Sequence, residues 1–123
     1  MGGITFQPHL AEAVMAGTKT VTRRLCSDNP RSPWWRQECG LKVGRDYAVQ
    51  PGRGKAAIGR AVVVSVERQR LGHIDHDEAR REGFFSPGHF VATFISINGS
   101  YDTAAEVWRV ELQALGSGTT EAA

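Results

Sequence analysis

Gly17-Thr18-Lys19-Thr20-Val21-Thr22-Arg23-Arg24 decides how this chain is read. Eight positions hold one lysine, two arginines and three threonines, with Val21 as the apolar anchor. A packed core has no use for so many cations and hydroxyls. A site that binds phosphate or polarises a carbonyl does. Just upstream, Leu10, Ala13 and Val14 form one apolar stripe with helical spacing. Pro8 suits a first helical position, and Gly17 the position just past a helix end. The pattern predicts a helix over 8–16, with the basic run emerging from its C-terminus. Ile4-Thr5-Phe6, further upstream, reads as a short first strand.

Downstream, Asp28, Asn29, Pro30, Ser32 and Pro33 mark a loop over 27–40. It carries Trp34 and Trp35, read either as a stacking surface for a base or as a lid folded onto the core. Gly44 opens a turn before a strand at Tyr47-Ala48-Val49. Pro51-Gly52-Arg53-Gly54-Lys55 is a turn bearing two cations. A longer strand is expected from Ala56 to about Arg70. Its Val62-Val63-Val64 centre is apolar on both faces, as in a closed barrel or sandwich core, and its polar end, Glu67 to Arg70, projects beyond the core. Asp75 stands three residues before Glu78, a capping arrangement that starts a helix ending at Gly83. Ser86-Pro87 starts another helix with Phe90, Phe94 and Ile97 on one face, against a competing hairpin signal in Asn98-Gly99. Residues 106–115 alternate as a last strand, with Trp108, Val110, Leu112 and Ala114 inward and Arg109, Glu111 and Gln113 outward. A disordered tail is expected from Gly116. No internal repeat is visible.

A chain of 123 residues suits one domain, here over 1–115. It has no apolar run long enough to span a bilayer and no secretory leader pattern, so a cytoplasmic protein without membrane association is expected. Cys26 and Cys39 lie too far apart for a usual zinc pair, even with His73 and His76 added. They read as two reduced, partly buried thiols, with no metal and no cofactor. Residues 1–70 hold twelve Lys/Arg against five Asp/Glu, a net +7; residues 71–123 hold three against eight, a net −5. Either one face is built for a polyanion, or the halves interleave in space and cancel.

Glu82 is the second informative residue. It closes the helix Glu78-Ala79-Arg80-Arg81-Glu82, where the helix dipole favours cations and disfavours a carboxylate. A residue placed against local preference marks a candidate functional site, unless it simply pairs with Arg80, Arg81 or Arg109. Taken together, Gly17-x-Lys19-Thr20-x-Thr22-x-Arg24 after a short helix, the Gly44 turn, a valine-rich strand and Glu82-Gly83-Phe84 resemble the ASCH domain family of the PUA-like superfold. The resemblance spans about residues 4–115. It implies an α+β fold: a partly open β-barrel of about five to six strands with two to three flanking helices, and a cleft where the two runs meet. It also implies that Lys19, Thr22 and Glu82 match the catalytic set of family members that deacetylate N4-acetylcytidine. Other members are described as RNA-binding modules or nucleases. The tryptophan loop departs from the small amidohydrolases.

Amide hydrolysis needs a nucleophile, a proton acceptor and stabilisation of an oxyanion. Thr22 can attack or orient a water. Lys19, beside Arg23 and Arg24, should have a lowered pKa and act as base. Glu82 can hold Lys19 or protonate the leaving nitrogen. Lys19 and Thr22 would point to opposite faces of an ideal strand, so Lys19 must sit in the turn before the strand begins. Arg24 suits a phosphate or carboxylate; Tyr47, Arg53 and Lys55 are further candidates for nucleotide contact. The expected partner is a modified nucleoside or RNA. The alternatives to an amidohydrolase are a non-catalytic nucleic-acid-binding module, or a metal-independent ribonuclease using Lys19 with Tyr47 or a histidine. An exposed basic edge strand protected by its charges would explain the same run without any site.

Overall fold

The computed structural model describes residues 3–115. The elements are β1 (Gly3–Thr5), α1 (Pro8–Ala16), β2 (Val21–Leu25), β3 (Asp46–Gln50), β4 (Gly59–Arg70), α2 (His76–Arg81), α3 (Pro87–Asn98) and β5 (Glu106–Ala114). The strands form one mixed sheet in the order β1-β3-β4-β5-β2, with only β1 and β3 parallel. Edge strands β1 and β2 do not pair with each other. Arg24 of β2 nevertheless donates from Nη2 to the Thr5 carbonyl of β1 at 2.8 Å. The sheet therefore curls until a single guanidinium spans the gap between its edges. This is the expected α+β, partly open barrel, with five strands and three helices.

Local signals set the helices. α1 starts at Pro8 and stops at Gly17, whose φ of 84° lets its N–H turn back to the Ala13 and Val14 carbonyls. The Asp75 side chain accepts from Glu78 N and starts α2; Ser86 accepts from His89 N and starts α3. Asn98-Gly99 ends α3 instead of making a hairpin, because the N-cap and the buried Phe90–Phe94 face commit the segment to helix first. Ile4, Val14, Val21, Val49, Val63, Val107 and Val110 are fully buried.

Three strand details differ from the sequence expectation. β4 begins at Gly59 rather than Ala56. Gly59 is where Met15 of α1 presses on the sheet, and any Cβ there would collide with that side chain. Val64 is 46 % exposed, because the β4–β5 register shifts between Val63 and Ser65 and leaves Val64 in a bulge on an unclosed sheet. Glu67, Arg68 and Arg70 are exposed outside the core, as expected, while the segment stays paired with Arg109 to Glu106 of β5. On β5 itself, Val107 is buried while Trp108 is only partly so, and Arg109 is covered from α2. Elements covering both faces override simple alternation there. The expected tail from Gly116 lies outside the described residues.

The two halves of the chain interleave. Lys19 pairs with Glu82, Arg23 with Glu78 and Glu82, and Arg36 with Glu106, so much of the charge asymmetry cancels in space. Cys26 and Cys39 are free thiols. Among the described residues no cluster of His, Cys, Asp and Glu is placed to hold a metal, and no helix is long and apolar enough to cross a membrane.

Candidate active site

The turn after α1 places Lys19. Thr18 N and Lys19 N both donate to the Ala13 carbonyl, so the chain is still unwinding from the helix at residue 19. Thr20 then bridges two distant elements: its N–H donates to Arg81 O at the end of α2, and its carbonyl accepts from Leu112 N of β5. Strand geometry begins only at Val21. Lys19 thus turns towards the end of α2 without breaking the alternation of β2.

Glu82 is the residue it meets. Lys19 Nζ donates to Glu82 Oε1 at 3.0 Å, to the Glu82 carbonyl at 2.8 Å and to the Val21 carbonyl at 2.8 Å. All three ammonium protons are engaged. Arg23 Nη1 donates to Glu82 Oε2 at 2.9 Å. Lys19 and Glu82 are each 3 % exposed and Arg23 is 7 %, so two cations and one carboxylate are sealed together. These cations compensate the carboxylate for its place at a helix C-terminus; neither belongs to the arginines Arg80, Arg81 or Arg109. The following Gly83 has φ 95°, and a Cβ there would stand 3.3 Å from Lys19 Cβ, so glycine lets the chain close over the lysine.

A second acid, Glu78, continues the network. Arg23 Nη2 bonds its Oε1, and Arg109 reaches it from β5 through Nε at 3.0 Å and Nη2 at 3.2 Å. Burial of the Glu78 carboxyl opposes its ionisation. The hydrogen bonds from Arg109 and Arg23 together outweigh burial and pull its pKa down to about 2. A depressed carboxyl contributes stability above its unfolded value, near 4.5, and loses it as pH falls towards 2. The urea midpoint of the wild type should therefore drop between those pH values, and a Glu78→Gln variant should show a flatter profile. Parallel profiles would place the acid sensitivity elsewhere.

Burial is the largest influence on Lys19 and lowers its pKa; Glu82 opposes this, and Arg24 and Arg23 add small downward pushes. The lowered pKa agrees with expectation, but water exclusion rather than the neighbouring arginines dominates it. Thr22 lies on the opposite face from Arg23. Its Oγ1 accepts from Arg24 Nε at 3.0 Å, which leaves the hydroxyl proton free. The Arg24 guanidinium is sandwiched between the Phe6 ring, 5.0 Å away, and the Trp34 ring, 5.1 Å away.

Lys19, Thr22, Arg23, Arg24 and Glu82 all line one cleft of about 460 Å³, a size that suits a nucleoside-sized molecule. Tyr47, Arg53, Lys55, Trp34 and Trp35 do not line it. Trp34 is taken up in stacking on Arg24. The carbonyls of Trp34 and Trp35 accept the Trp108 indole N–H, so the loop is pinned to β5. The Tyr47 hydroxyl accepts from Lys42 N. Sequence reasoning missed the apolar wall of the cleft, formed by Phe6, Phe84, Phe90, Phe94 and Ile97. The Phe90–Phe94–Ile97 stripe was visible, but helical spacing alone does not tell a core face from a pocket wall. Glu78 and Arg109 were visible as a cap and a strand residue, with no sign that they share one ion pair.

No family profile matches the chain, and no curated protein matches it. Solved structures do. An ASCH domain from Lactobacillus crispatus is 17 % identical with a TM-score of 0.58, over 86 % of this chain and 70 % of that one. A DUF984 protein from Enterococcus faecalis V583 is 12 % identical with a TM-score of 0.63, over 100 % of this chain and 86 % of that one. A point mutant of an ASCH protein from Zymomonas mobilis is 17 % identical with a TM-score of 0.55, over 91 % and 68 %. The likeness shows the fold: the chain folds as these ASCH domain structures do.

Proposed function

We propose that this protein is an amidohydrolase that removes the acyl group from N4-acetylcytidine or a related acylated nucleoside. The observation that carries this reading is the gathering of Lys19, Thr22 and Glu82 on one nucleoside-sized cleft. A solvent-exposed basic groove has no use for a lysine buried against a glutamate, because burying the pair costs desolvation without adding affinity. An acid–base site does use it.

The residues divide the work as follows. Burial moves Lys19 towards its neutral form. In that form it releases one of its three acceptors, and the freed lone pair takes the hydroxyl proton as Thr22 Oγ1 attacks the acyl carbon. The C–N4 bond then breaks and the leaving nitrogen takes the same proton from Lys19. A water repeats the sequence on the acyl-threonine: its proton passes through Lys19 back to Thr22 Oγ1, and the carboxylic acid departs. Glu82, with both carboxylate oxygens taken by Lys19 and Arg23, acts as a holder of the lysine and not as the acid. Arg24 orients Thr22 through Nε. The apolar wall receives the flat base and the acyl methyl.

Incubation with N4-acetylcytidine, following acetate release, tests this. Turnover well above a Lys19→Ala control is expected; equal rates would end the reading. Of the alternatives, a ribonuclease needs Tyr47 or a histidine beside Lys19, and neither lines the cleft. A binding module draws support from the exposed cations Arg53 and Lys55, and predicts RNA affinity that falls steeply with salt and survives Lys19→Ala.

A further inference from the structure

We infer that the ligand of this cleft carries a phosphate, held at the corner where β1 passes into α1 by Arg24, Arg53 and Lys55. The inference rests on the reading of the cleft as a nucleoside site, and goes beyond it to the charge of the ligand.

Arg24 supplies the first argument. It lines the cleft and retains little exposure, yet no carboxylate among the described residues pairs with it. Its protein acceptors are Thr22 Oγ1 and the Thr5 carbonyl, both neutral. Nη1 donates to no group among the described residues, and it is not among their sealed-off polar atoms. Among the described residues Glu82 is the one acid lining the cleft, and both its oxygens are already taken by Lys19 and Arg23. Arg24 therefore has no direct ion-pair partner among the described residues; Glu82 acts on it only at a distance, and the Phe6 and Trp34 rings flank it. A guanidinium in that state is completed by an anion.

The glycine-rich turn supplies the second. Gly52 lines the cleft, and the Lys55 stem lies over it: a Cβ on Gly52 would come 3.1 Å from Lys55 Cγ. Lys55 N donates to the Gly52 carbonyl, which tightens the turn. Arg53 and Lys55 are exposed, and no carboxylate among the described residues pairs with either.

Topology joins the two. Phe6 N donates to the Gln50 carbonyl, and Thr5 pairs with Gln50, so Gly52 abuts the same Thr5–Phe6 corner that Arg24 reaches from β2. α1 begins at this corner, with Gln7 and Pro8 on the cleft wall and no acid in its first turn, and its dipole adds to the field of the cations. Arg24 on the cleft wall, with Arg53 and Lys55 on the turn that adjoins it through Gly52, suits a phosphate dianion better than a single carboxylate. The phosphate could belong to a nucleoside monophosphate or to an RNA strand.

Calorimetric titration with cytidine, cytidine 5′-monophosphate and a trinucleotide with central cytidine tests the subsite. At low salt the monophosphate should bind about tenfold more tightly than cytidine, with the advantage shrinking as salt rises. An Arg53→Ala/Lys55→Ala double variant should lose most of that ratio. Arg31→Ala, which removes an exposed cation away from the cleft, should keep it. A trinucleotide that outbinds the monophosphate assigns the phosphate to RNA; the reverse assigns it to the mononucleotide. Equal affinities for cytidine and its monophosphate, no binding of either, or a ratio unchanged in the double variant would overturn the subsite. A preference for the monophosphate without acetate release would end the amidohydrolase reading and leave the subsite standing. Acetate release without the preference would do the opposite.

Discussion

Glu82→Gln is expected to destabilise the fold by about 3–5 kcal/mol, which is a large part of the ~5–15 kcal/mol that holds a domain of this size together. The substitution is nearly isosteric, so no cavity accounts for the loss. The cause is electrostatic. Glu82 stands between Lys19 at 3.0 Å and Arg23 at 2.9 Å, each nearly free of water contact. A glutamine keeps one acceptor oxygen but must turn its NH₂ towards one of the two cations, donor against donor. Arg23 retains Glu78 as a partner, so Lys19 bears most of the penalty. A double variant, Glu82→Gln with Lys19→Met, should recover part of the loss, because the stranded charge leaves with the lysine. Urea unfolding of the two single variants and the double variant measures the coupling. A Glu82→Gln cost below about 1 kcal/mol, or a double variant whose costs simply add, would contradict a tightly coupled pair.

Lys19→Met is expected to lower acetate release from N4-acetylcytidine by about a thousandfold, the scale of losing a positioned acid–base group. Methionine keeps much of the buried stem, and Arg23 continues to hold Glu82, so this variant should cost less stability than Glu82→Gln. What it loses in structure are the Nζ bonds to the Val21 and Glu82 carbonyls and the ion pair with Glu82 Oε1. The pH profile separates a chemical role from a structural one. Burial lowers the Lys19 pKa from 10.5, so wild-type turnover should rise along a limb that lies below that value, as the neutral amine forms. The limb should be absent from the residual activity of Lys19→Met. Turnover within about tenfold of wild type, or an unchanged limb, would remove Lys19 from the chemistry.

Much of the fold was legible because its signals are local. Pro8 and Gly17 bracket α1, Asp75 with Glu78 starts α2, and Ser86-Pro87 starts α3; each acts within one helical turn. The position of Lys19 in the turn followed from side-chain alternation, since it could not share a face with Thr22 inside a strand. Val64 was misread because a bulge in β4 depends on how β5 aligns against it, which no stretch of β4 reveals. Trp34 was open between two uses. Its stacking on Arg24 required knowing that β2 and the 27–40 loop meet at one place.

The sequence by itself therefore determined the helices, their ends, the strand content and the unusual residues: a lysine in a turn, a glutamate at the wrong end of a helix, three cations in one run. Only the tertiary structure decided that Lys19 and Glu82, 63 residues apart, answer one another. It also decided that Arg24 spans the open edge of the sheet and that four core phenylalanines, with Ile97, also wall a cleft. The reason is physical. Caps, turns and periodicity are settled by neighbours along the chain. The partner of a buried charge is settled by which strand the sheet places beside it, and here Thr20 makes that placement by tying the end of α2 to β5.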